Sequence, residues 1–140
     1  MKKINPVALV ILDGFGHSSH TYYNAIAHAK KPFLDFVLQQ FPHTLLEASG
    51  PAVGLPSGYA GNSEVGHSTL GAGARVPSAF LRLLNQIQDR SFFSHPVLVS
   101  HLQDLCHSGK TLHILGILSD AGVHGHMDII DATIHAAVEQ

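Results

Sequence analysis

The sequence predicts an α/β fold with parallel strands. Two observations point there. Apolar runs at residues 7–12 (Val7-Ala8-Leu9-Val10-Ile11-Leu12) and 112–118 are continuous rather than alternating, the pattern of strands covered on both faces. Each run stops in a polar turn that holds an aspartate, Asp13-Gly14-Phe15-Gly16 and Ser119-Asp120-Ala121-Gly122. Open α/β sheets place their binding and catalytic groups at such carboxyl ends of strands.

After the first strand, Lys31-Pro32 opens a helix with proline at its first position, and Leu34, Val37, Leu38 and Phe41 form its apolar face. Thr44 to Ala48 reads as a short second strand. Residues 49–61 are rich in Gly, Pro and Ser and form a loop of the kind that carries function. A helix is expected to open after it, just past Ser63. Gly71 to Pro77 is the best boundary, since glycine and proline punctuate there. Ser78 caps a helix carrying Leu81, Leu84 and Ile87. Pro96 starts another, with Leu98, Leu102 and Leu105 inward and Gly109 as its stop. Residues 128–140 form the last helix. They lack a stop signal, so the sequence is expected to be cut rather than complete.

Composition narrows the function. With 140 residues, 45% hydrophobic and 13% charged, the chain can bury a core and is not disordered. A net charge of −2 without a basic block argues against nucleic-acid and membrane partners. Cys106 is the single cysteine, which fits a reducing compartment, and the cytoplasm is expected. Met1-Lys2-Lys3 before an apolar run has the opening of a secretory leader, but the run is too short and Asp13 interrupts it.

The chemistry concentrates in Gly61-Asn62-Ser63-Glu64-Val65-Gly66-His67. Glycines around Ser63 admit close approach of an anion. A helix opening just after the serine would aim its positive end at a phosphate or a developing alkoxide. Asp13 at a strand end is a hard-cation ligand candidate. Taken alone, Ser63 would read first as a helix cap and Asp13 as a turn residue. Asn62, Glu64 and His67 are expected to hold the loop. Of twelve histidines, only His124 and His126 share a candidate site motif. On a strand their spacing puts both on one face, but no cysteine or third ligand lies nearby to complete a zinc site.

These residues carry a resemblance. Val10 to Gly16, Asn24 to Ala27, Gly54 to Gly58, Gly61 to His67, Leu70 to Gly73 and Ser119 to His126 resemble, in order and spacing, the N-terminal part of the cofactor-independent phosphoglycerate mutases of the alkaline phosphatase superfamily. The resemblance implies the start of a parallel-sheet phosphatase-like domain in residues 1–76 and the start of an inserted α/β transferase domain in residues 77–140, both incomplete. It implies Ser63 as the nucleophile that takes phosphate from a phosphoglycerate and returns it to the other hydroxyl. It also implies two divalent cations, manganese, with Asp13 and Ser63 as ligands of one. His124 would contact the substrate phosphate or carboxylate. The complete enzyme would be a monomer acting on a small-molecule substrate. Tyr59-Ala60, Ala74, Ala121 and Gly125 depart from the family's usual string. Two other readings stay open, a metal-dependent phosphohydrolase of the same superfamily and a noncatalytic remnant.

Overall fold

The structure, a computed structural model, describes residues 5–140. It divides into two compact units, one ending at Leu46 and the other spanning Glu47–Gln140.

The first unit holds α1 (Ala25–His28) and α2 (Pro32–Gln40). Asn24 caps α1, its side-chain oxygen accepting from the Ala27 N–H. Pro32 stands at the first position of α2, as the sequence predicts, and Asp35 pairs with Lys31 one turn away at 3.3 Å. Upstream, residues 12–15 form a turn closed by the Phe15 N–H on the Leu12 carbonyl, 3.1 Å. Gly14 takes φ 77° there, the conformation that the third position of a type II turn requires. Asp13 sits beside it on an exposed corner.

The second unit holds α3 (Ser63–Ala72), α4 (Ala79–Gln88), α5 (Pro96–Ser108) and α6 (Met127–Val138), with 3₁₀ turns at Gly50–Val53 and Ser91–Ser94. Its helix ends follow local chemistry. The Ser78 hydroxyl accepts from the Leu81 N–H at 3.1 Å, a side-chain cap for an otherwise orphaned donor. Gly109 ends α5 in the left-handed conformation. Val53, Leu55 and Val65 form a core cluster, with the Tyr59 and Phe80 rings packed against it. Leu102 on α5 and Ala132 and Ala136 on α6 are buried as well.

The expected parallel sheet is not seen among the described residues. Among the described residues there is no strand: residues 7–12, 44–48 and 112–118 run without ladder hydrogen bonds. Strands hold only when neighbours pair with them and cover their faces. Here Val7 is 95% and Leu115 96% exposed. Continuous apolar sequence reports what a segment could bury, not which partner does the covering. The strand reading of His124 and His126 is corrected too. His124 has φ 64°, outside strand geometry, and His126 is the N-cap of α6.

Candidate functional site

The loop between residues 49 and 61 fixes where α3 begins. The Gly50 N–H donates to the Tyr59 carbonyl at 2.9 Å, and the Leu55 N–H donates to the Gly50 carbonyl at 3.0 Å. The Ser78 N–H donates to the Gly54 carbonyl at 2.9 Å. Gly54 has φ 78°, and a Cβ there would overlap the Val76 backbone. The loop is therefore stitched both to itself and to the entry of α4.

Ser63 is the first residue of α3. Asn62 precedes it, and its side-chain oxygen accepts from the Val65 N–H at 3.1 Å. His67, one turn on, donates from Nδ1 to the Ser63 carbonyl at 2.7 Å, the direction a carbonyl acceptor dictates. Both neighbours thus hold the backbone around Ser63, the loop-holding role expected of them.

Ser63 and His124 line one cavity of about 440 Å³. Its walls come from the first turn of α3 (Asn62, Ser63, Glu64, Val65), the first turn of α4 (Ser78, Ala79, Phe80) and the Gly122–Gly125 loop before α6. Two helix N-termini therefore open onto the space that Ser63 shares with His124. Helix N-termini carry N–H groups without intrahelical partners and a partial positive charge, which favours an anion between them. Leu55, Phe80, Leu83, Val123 and Ile129 make the remainder largely apolar.

Glu64 complicates this electrostatically. Its carboxylate lies in the first turn of α3, where it stabilises the helix but opposes a phosphate entering the same cavity. Helix ends supply only about half a charge each.

Asp13 lies in the first unit and Ser63 in the second.

The comparisons with known proteins bear on this arrangement. A family model described as the metalloenzyme superfamily matches residues 5–136. The chain belongs to that superfamily. Its sequence corresponds to the N-terminal 27% or so of 2,3-bisphosphoglycerate-independent phosphoglycerate mutases. It is 46% identical to the one from Cellvibrio japonicus (strain Ueda107) over 140 residues, all of this chain and 27% of the relative. It is 50% identical to that of Methylobacillus flagellatus over 135 residues, 96% of the chain and 26% of the relative. To that of Pseudoalteromonas atlantica it is 49% identical over 134 residues, again 96% and 26%. The chain thus spans about a quarter of these relatives' length.

Membership in the metalloenzyme superfamily implies dependence on a divalent metal. The described residues do not hold one unaided: no group of three or more His, Cys, Asp or Glu is arranged for it. Hard divalent cations take about six or more oxygen ligands. No helix among the described residues is long and apolar enough to cross a membrane.

Sequence reasoning missed Tyr59 and the capping role of His126. Tyr59 Oη lies 3.1 Å from His126 Nε2. Histidine is not among the favoured N-caps, so only the fold reveals it.

Proposed function

We propose that this chain is the opening part of a cofactor-independent phosphoglycerate mutase that interconverts 3-phosphoglycerate and 2-phosphoglycerate. Ser63 is the nucleophile: its Oγ forms a bond to phosphorus, the bond from phosphorus to the glycerate oxygen breaks, and a phosphoserine and free glycerate result. The proton lost by Ser63 is balanced by the one gained on the departing glycerate hydroxyl. Glycerate reorients, and the reverse steps place the phosphate on its other hydroxyl. The α3 and α4 N-termini seat the phosphoryl oxygens, and His124 contacts the substrate phosphate or carboxylate. The observation that carries this reading is the single cavity lined by both Ser63 and His124.

Asp13 and Ser63 contribute ligands to one of two divalent cations, manganese, whose other ligands come from outside these residues. A bound metal supplies the charge that Glu64 and the phosphate together require. Residues 1–76 belong to a phosphatase-like domain, and residues 77–140 open a transferase domain. The complete enzyme is a cytoplasmic monomer. The chain alone turns over no substrate, because its own residues do not hold the metal.

The test replaces the first 27% of the Cellvibrio japonicus relative with this chain. The chimera is expected to show manganese-dependent mutase turnover, lost by at least about a thousandfold in Ser63→Ala with an unchanged circular dichroism spectrum. A Ser63→Ala chimera that keeps its turnover refutes the assignment.

A further inference from the structure

His126 is the one buried titratable side chain among the described residues, 8% exposed, and both its ring nitrogens are engaged. Nδ1 lies 3.1 Å from the Asp128 N–H, and Nε2 lies 3.1 Å from Tyr59 Oη. The Asp128 carboxylate stands farther off, 3.5 Å from Nδ1; a backbone amide only donates, so with the amide as the nearer partner Nδ1 keeps its lone pair. In the neutral ring the proton then sits on Nε2 and is donated to Tyr59. One imidazole therefore caps α6 and ties it to a residue 67 positions earlier in the chain.

This tie lies against the loop that carries His124. The Met127 N–H donates to the Ser119 carbonyl at 2.9 Å, closing residues 119–127 at the neck. The Ala121 N–H donates to the Ser119 hydroxyl at 3.0 Å. Phe80 completes a triangle of rings, edge-on to Tyr59 at 5.2 Å and tilted against His126 at 5.1 Å between centroids, with Tyr59 and His126 6.3 Å apart. Gly122 lies under Tyr59 and Phe80 so closely that a Cβ would stand 2.7 Å and 2.5 Å from their ring carbons. His124 itself holds φ 64°, a left-handed conformation that residues with a Cβ adopt only where their surroundings fix it.

We propose that Tyr59 and His126 are positioning residues that lock residues 119–127 closed, and so keep His124 at the wall of the Ser63 cavity. The proposal rests on reading His124 as the substrate-contacting group. Neither residue touches the reacting atoms. Each acts through the loop.

The experiment is hydrogen exchange read by mass spectrometry on the 140-residue chain and its variants. Tyr59→Phe keeps the ring and removes the hydroxyl. His126→Asn keeps an acceptor for the Asp128 N–H, asparagine being a favoured cap, but is too short to reach Tyr59. Both are expected to speed exchange in residues 119–127 by about three- to tenfold, the loss of one hydrogen bond. Exchange in α4 and in residues 129–138 should stay unchanged. Unchanged exchange at 119–127, or equal acceleration throughout the unit, overturns the lock. In the chimera, Tyr59→Phe is expected to raise KM by about the same factor with kcat within about twofold. Faster loop exchange with unaltered KM refutes the link to His124. These outcomes separate from the Ser63 assignment: retained turnover in Ser63→Ala defeats that reading and leaves the lock standing, while unaltered exchange does the opposite.

Discussion

Gly122 and Gly58 allow the packing around the His124 loop to be measured apart from backbone strain. Both hold positive φ, 67° and 86°, so alanine at either must adopt a left-handed conformation at a cost of about 1–2 kcal/mol. Their surroundings differ. A Cβ on Gly58 meets nothing within 4 Å, whereas one on Gly122 meets Phe80 at 2.5 Å and Tyr59 at 2.7 Å. Those rings are partly buried against Val53, Leu55 and Val65 and must shift to admit the methyl group. Overpacking of this kind costs about 1–3 kcal/mol more. Gly58→Ala is thus expected to destabilise by about 1–2 kcal/mol and Gly122→Ala by about 2–5 kcal/mol. Urea unfolding followed by tyrosine fluorescence and far-ultraviolet circular dichroism checks both. Equal losses in the two variants, or a neutral Gly122→Ala, would refute the steric part of the reasoning.

Three further outcomes are expected. Ser78→Ala removes the α4 cap and should cost about 1 kcal/mol, recovered by Ser78→Asp, in the same unfolding assay. The uncovered apolar segments, with Leu115 96% and Val7 95% exposed, should bind a hydrophobic dye and associate as concentration rises; a dye-silent monomer at high concentration in gel filtration would contradict this. The Asp89 carboxyl is held below its ordinary range by hydrogen bonds from the Ser91 side chain and then its backbone N–H. A lowered folded value means the stabilisation is present at neutral pH and lost as pH falls through that value. Titration of the Asp89 carboxyl by NMR should show the depression, and Ser91→Ala should lessen it.

Helices were the legible part of this chain because their ends are written locally. Pro32, Ser78, Pro96 and Gly109 each mark a boundary within a few residues of sequence, and each stands where it was expected. The one-turn α1 and the 3₁₀ turn at Ser91–Ser94 carry too few residues to show a period. The sheet was not legible in the same sense. Apolar runs at 7–12 and 112–118 state a need for cover, and pairing depends on residues far away. At the site, the glycine-bracketed string named Ser63, and the helix opening there follows from Asn62 as its cap. That Ser63 and His124 share a cavity depends on tertiary packing. The tie from Tyr59 to His126 was invisible, since neither residue type announces such a role and their spacing follows no motif.

The cluster of the Tyr59, Phe80 and His126 rings joins three stretches of chain, each of which also lines or adjoins the Ser63 cavity. Substitutions in one stretch are consequently felt by the others, and their effects will not add. A change tolerated beside the serine could become harmful once the second histidine of Val123-His124-Gly125-His126 has drifted, and the reverse. The two halves of the pocket can diverge only in step, so natural variation at Tyr59, Phe80, Gly122 and His126 should appear as correlated sets rather than independent replacements.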